Sequence, residues 1–83
     1  MIRILYFARL RELLGTGEEH LELSAHCNSV ADLREMLCRR GPEWSAALNA
    51  DGLFVAVNQT VVDETRRLTG DEEVAFFPPV TGG

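Results

Sequence analysis

The sequence predicts an α+β domain, a mixed sheet of four to five strands packed on one main helix with short helices beside it. Three observations predict it. The first and last apolar stretches, residues 2–7 and 73–77, are rich in β-branched, aromatic and aliphatic residues. One well-signalled amphipathic helix follows Ser29 in the middle of the chain. The remaining apolar runs are short and punctuated by Gly, Asn and Asp turns. A length of 83 residues allows one domain with a single modest core.

The first strand, Ile2 to Phe7, alternates with Ile2, Ile4 and Tyr6 on one face and Arg3, Leu5 and Phe7 on the other. Apolar residues on both faces suit a central strand or a face reserved for a partner. Ala8 to Leu14 reads as one or two helical turns carrying Leu10, Leu13 and Leu14, stopped by Gly15. Glu19 to Leu23 is the return strand of a hairpin, with Leu21 and Leu23 inward. Ser29-Val30-Ala31-Asp32 resembles a capping box with Asp in place of Glu or Gln. The helix behind it presents Val30, Leu33 and Leu37 on one stripe and ends at Gly41-Pro42. Glu43 to Leu48 is a second short helix. Leu53 to Val57 and Thr60 to Val62 are strands joined at Asn58-Gln59. Glu73 to Phe77 is the last strand and runs directly into Pro78-Pro79.

Strand, strand, helix, strand, short strand, strand is the β-grasp or ubiquitin-like order. In it the first and last strands lie parallel in mid-sheet, connected by a right-handed crossover through the helix. The chain accordingly divides into a β-grasp domain over residues 1–77 and a flexible Gly-Gly tail over 78–83.

A net charge of −5 argues against nucleic acid, which needs a basic face. No apolar run approaches the roughly 20 residues of a bilayer span. The start of the chain lacks the apolar stretch and small-residue cleavage site of a signal peptide. Together these predict a cytoplasmic protein, with no membrane or nucleic-acid partner. Cys27 and Cys38 have no metal-ligand spacing and read as free thiols in a reducing compartment.

Catalytic constellations of the usual kinds are absent from the pattern. His26 beside Cys27 on a loop does not supply the geometry of a Cys-His pair with an orienting third group. Gly15-Thr16-Gly17 is too short for a phosphate loop and has no Lys-Ser/Thr after it. No metal site is predicted. What remains is the terminal carboxylate of Gly83, carried on Pro78-Pro79-Val80-Thr81-Gly82. The prolines stiffen the approach into an extended run, and the glycines let it enter a channel too narrow for a Cβ. The plainer reading is a frayed polar terminus, but the apolar run leading into Pro-Pro-Val-Thr-Gly-Gly is more specific than a bare Gly-Gly. An ionised carboxylate is inert. Adenylation would make it a mixed anhydride, and a sulfur nucleophile displacing AMP would leave a thiocarboxylate on Gly83. In this scheme the chain supplies the carried group and its partners supply the catalysis.

Three segments resemble the small subunits of molybdopterin synthase, sulfur carriers of ubiquitin-like fold. They are Phe7-Ala8-Arg9-Leu10-Arg11-Glu12-Leu13-Leu14-Gly15, Val57-Asn58-Gln59-Thr60, and Glu73 through Gly83. They occur in the family's order and at its usual length, whereas residues 21–52 match only in pattern. The resemblance implies an E1-like, ATP- and zinc-dependent adenylyltransferase that activates Gly83, and a sulfurtransferase relay that supplies sulfur. It implies a large subunit into which the tail inserts, and transfer of sulfur to cyclic pyranopterin monophosphate to build the molybdopterin dithiolene. It further implies a heterotetramer and no bound cofactor, ATP being used by the activating partner. One departure is local: the run before the last strand is Gly70-Asp71-Glu72-Glu73-Val74, one acidic residue longer than usual. It predicts a changed turn or a bulge.

For docking, Leu5 and Phe7 share one strand face and Ala75 and Phe77 another, so neighbouring strands would form an apolar patch beside the tail. The competing place for Phe7 and Phe77 is under the helix, where alternation already puts Ile4, Tyr6, Val74 and Phe76. Arg11 has two readings, a solvated side chain or a pairing with an acidic group of a partner. Two alternatives to the molybdopterin assignment stay open. One is a sulfur carrier of the thiamin or ubiquitin-related modifier type. The other is a non-catalytic β-grasp interaction module whose tail does nothing.

Overall fold

The computed structural model describes residues 1–79; Val80, Thr81, Gly82 and Gly83 lie outside the described residues. The elements run β1 (Ile2–Tyr6), α1 (Arg9–Leu14), β2 (Glu18–Leu21), α2 (Val30–Cys38), α3 (Pro42–Leu48), β3 (Phe54–Val57), β4 (Thr60–Val62) and β5 (Glu73–Phe77). The sheet has five strands in the order β2-β1-β5-β3-β4. β1 and β5 pair in parallel at its centre, with Ile4 opposite Val74 and Tyr6 opposite Phe76. The other pairings are antiparallel. This is the predicted β-grasp arrangement.

The helices cover one face only. Ile2, Ile4 and Tyr6 of β1, Val74 and Phe76 of β5, and Val55 and Val57 of β3 meet Leu10, Val30, Leu33, Leu37 and Leu48 from the helices. Burying each larger side chain of this set contributes about 1.5–3 kcal/mol. A polar network ties the layers at one end. The Tyr6 hydroxyl donates to Glu19 at 2.9 Å, and Arg40 donates to both Glu19 oxygens at 2.8 Å. The Arg40 guanidinium lies 4.6 Å from the Trp44 ring centre, and the Tyr6 ring meets Trp44 edge-on. The Arg40 hydrogen bonds hold the Glu19 carboxyl below its ordinary range, and burial pushes the Tyr6 phenol up.

Local signals account for the boundaries. The Ser29 hydroxyl caps α2 by accepting from Asp32 N–H at 3.2 Å. The Asp32 carboxylate returns to Asn28 N–H rather than to that of Ser29, so the box closes one residue early. Gly15 at φ 74° ends α1. Asn58 and Gln59, at φ 50° and 70°, make the β3–β4 turn with both central residues left-handed, as a two-residue hairpin of type I′ requires.

The extra acidic residue changes the turn without a bulge. β5 keeps unbroken register with β1 and β3 from Glu73 onward. Glu72 instead folds its side chain back into the turn. Its carboxylate accepts from Thr69 N–H (2.7 Å) and hydroxyl (3.1 Å), Gly70 N–H (2.8 Å) and Asp71 N–H (3.1 Å). Burial raises its pKa, but the donors together outweigh that and hold it below the ordinary value.

Candidate functional site

The site begins where β5 ends. This strand is hydrogen-bonded to β1 on one side and to β3 on the other, so the chain reaches Phe77 from the middle of the sheet. Pro78, half-buried, and Pro79, exposed, continue it. Pro78 and Pro79 begin the tail predicted to thread into a partner; the rest of it, Val80, Thr81, Gly82 and Gly83, lies outside the described residues.

Beside this exit lies the sheet face that no helix covers. Register assembles it in rows. Leu5 pairs with Ala75, Ala75 with Ala56, and Ala56 with Val61, giving a low apolar row across four strands. Ala56 and Ala75 are small enough to be largely covered by their neighbours, while Val61 is 60% exposed. The next row, at the tail end, is aromatic. Phe77 pairs with Phe54, and their rings stack at 5.6 Å between centroids. Phe7 follows β1 directly, its N–H donating to the Phe76 carbonyl at 3.2 Å. Phe7 and Phe54 are 48% and 44% exposed. An exposed aromatic row on a flat apolar floor is the composition of an interface centre. At the opposite end the same face is polar. Arg3 pairs with Glu18 at 2.7 Å and with Glu73 at 3.3 Å, and His20 stands 3.6 Å from Glu18.

Of the predicted docking residues, Leu5, Phe7 and Phe77 are therefore brought to one face. Ile4, Tyr6, Val74 and Phe76 take the place under the helices. Arg11 stands apart on α1, exposed, with its aliphatic stem over Gly17, where a Cβ would fall 2.6 Å from Arg11 Cδ. Among the described residues it makes no ion pair.

Sequence reasoning missed Phe54. The signal existed, since Val55 and Val57 alternate with it, but its neighbour across the sheet follows only from the β3–β5 register. Ala8 was also invisible. It adopts φ 54°, ψ −126°, a region that costs an L-residue about 1–3 kcal/mol, and turns the chain sharply from Phe7 into α1.

On the helix side of the exit a cleft of about 710 Å³ opens between α1 and α3, lined by Leu10, Leu13, Ala47, Leu53, Pro78 and Pro79 among others. Burial, with Asp32 nearby, raises the pKa of the Cys27 thiol, the reverse of nucleophile activation. Among the described residues no cluster of His, Cys, Asp or Glu is arranged to hold a metal ion, and no helix is long and apolar enough to cross a membrane.

The comparisons with known proteins agree with this geometry. The chain is 46% identical over its whole length, and the whole of the relative's, to the molybdopterin synthase sulfur carrier subunit of Escherichia coli. It is 39% identical, again end to end, to that of Haemophilus influenzae. SAMP1 of Haloferax volcanii superposes with a TM-score of 0.82, covering 99% of this chain and 98% of that one at 23% identity, a likeness of fold. The ThiS family profile matches residues 4–83. On this match over residues 4–83 the chain belongs to the ThiS family.

Proposed function

We propose that the protein is the sulfur carrier subunit of molybdopterin synthase, working in the cytoplasm with a large subunit that holds its tail. The observation that carries the reading is the tail's point of departure. A strand locked on both sides delivers Pro78-Pro79 next to the row of Phe7, Phe77 and Phe54. A partner seated on that row grips the carrier where its tail begins. The similarity to carrier subunits over the full length of both chains supports the same reading.

In this mechanism the chain contributes position and a carboxylate. An E1-like adenylyltransferase presents ATP, and a Gly83 carboxylate oxygen attacks the α-phosphate, releasing pyrophosphate. A persulfide from a sulfurtransferase relay displaces AMP to give an acyl disulfide, and a thiol reductant cleaves its S–S bond, leaving the thiocarboxylate on Gly83 and the relay sulfur in a mixed disulfide. Tail insertion then places that sulfur against cyclic pyranopterin monophosphate in the large subunit. Two carrier charges are consumed per dithiolene, and the assembly is a heterotetramer with a large-subunit dimer in the centre and one carrier at each end. Binding energy from the aromatic row holds the reacting end at high effective concentration without taking part in the chemistry.

The test is intact mass after incubation with ATP, an E1-like activator and a sulfur donor, beside a Gly83-deleted control. The expected result is a gain of about 16 Da, one oxygen replaced by sulfur, on Gly83 and absent from the control. No gain with an activator that charges another carrier leaves the interaction module as the better account. Charging without transfer to the pterin precursor in the presence of the large subunit points to a carrier for another pathway.

A further inference from the structure

The loop from α3 to β3 passes beside the point where the chain leaves β5. Within it Gly52 adopts φ 79°. A Cβ built on Gly52 falls 3.3 Å from Pro79 Cγ, 3.7 Å from Cδ and 3.9 Å from Cβ. The first distance is inside the roughly 3.5–4.0 Å of ordinary carbon contact, so a side chain at this position pushes on the proline ring. The same loop supplies Ala50, Asp51 and Leu53 to the cleft that Pro78 and Pro79 also line. The proline ring fixes its own φ, so fewer torsions are left to absorb a displaced ring and part of the displacement is carried along the chain.

We propose that Gly52 is a positioning residue for the tail: its bare backbone seats the Pro79 ring and sets the direction in which the chain leaves the domain toward Gly83. The inference deepens the sulfur-carrier reading and rests on it. A turn glycine needed only for its positive φ and a glycine needed as a seat make different demands. Asn tolerates positive φ but carries a Cβ, so it meets the first demand and fails the second.

The experiment compares wild type, Gly52→Asn and Gly52→Ala in charging by the activating enzyme and in binding to the large subunit. Both variants leave Phe7, Phe54 and Phe77 in place, so both keep the anchoring row and lose less affinity for the large subunit than Phe77→Ala does. Both charge with kcat lowered about tenfold and KM unchanged, the cost of a misplaced reacting end. Thermal stability falls more in Gly52→Ala than in Gly52→Asn, so an equal rate loss in the two does not follow stability. Pro79→Ala in the Gly52→Asn background removes Cγ and Cδ and restores part of the rate. Charging at the wild-type rate in Gly52→Asn, or a rate loss that tracks melting temperature, overturns the proposal. Failure of wild type itself to be charged sinks the carrier reading instead. The seat is also read without any chemistry, as nuclear Overhauser contacts between the Gly52 α-protons and the Pro79 ring in the isolated protein. Their absence removes the seat whatever the activity shows.

Discussion

The two faces of the sheet are built from the same strands and are both apolar, yet they meet different fates. Ile4, Tyr6, Val74 and Phe76 on one face are at most 1% exposed, closed under α2, α3 and α1. Leu5, Phe7, Phe54, Val61 and Phe77, one residue out of phase, face no helix. Residues 1–79 supply a single helical layer, enough to cover one face and not two. The difference teaches that apolar content along a strand measures what must be buried eventually, while the number of layers decides whether the chain itself or a partner buries it.

The comparison breaks most visibly at Phe76 and Phe77, adjacent residues on opposite faces. Phe76→Ala leaves a cavity in the core and is expected to cost about 3–5 kcal/mol of stability, read from denaturant unfolding. Phe77→Ala is expected to leave the unfolding midpoint nearly unchanged and to weaken large-subunit binding by about 2 kcal/mol, roughly thirtyfold in Kd by calorimetry. Equal stability losses from the two variants would erase the distinction between the faces.

A third test asks whether β5 is held at its entry, independently of either face. Glu72→Gln removes the carboxylate charge from the turn and is expected to cost on the order of 1–2 kcal/mol. The pH dependence has a definite sign. The folded pKa of Glu72 lies below its ordinary value, so its stabilisation is fully present above the unfolded pKa of about 4.3. It is lost as pH falls through the depressed folded value. Wild type therefore loses stability relative to Glu72→Gln below about pH 4, measurable by thermal melts across that range. The smallest effect lies at the β3–β4 hairpin, which sends Val61 to the open face and Val62 toward the core. Gln59→Gly relieves a non-glycine residue at φ 70° and is expected to add about 0.5 kcal/mol, sharpening the register that assigns those two valines.

Much of this was legible in the sequence because it is local. Alternation from Ile2 to Phe7 separates the two faces of β1, and Ser29 and Gly41-Pro42 bracket α2. Asn58-Gln59 marks the hairpin. Leu5, Phe7 and Phe77 fell on the open face for the same reason. What escaped depends on neighbours distant in the chain or on turn geometry. Phe54 joins the site because β3 runs antiparallel to β5 in a register that sets it against Phe77. The acidic run at Glu72 signalled a changed turn or a bulge but not which, since only the folded turn aims four donors at its carboxylate. Ala8, with the best helix propensity of any residue, gave no sign of a strained backbone.

The parallel pairing of β1 with β5 also has a mechanical consequence. An enzyme that grips the tail and draws on it pulls β5 along its own axis. The hydrogen bonds to β1 and β3 lie across that axis, so the pull loads them together in shear instead of opening them one after another. The strand that leads into the tail is thus anchored where the domain resists extraction, so that in the proposed sulfur-carrier cycle the tail can be gripped repeatedly without drawing thread from the fold.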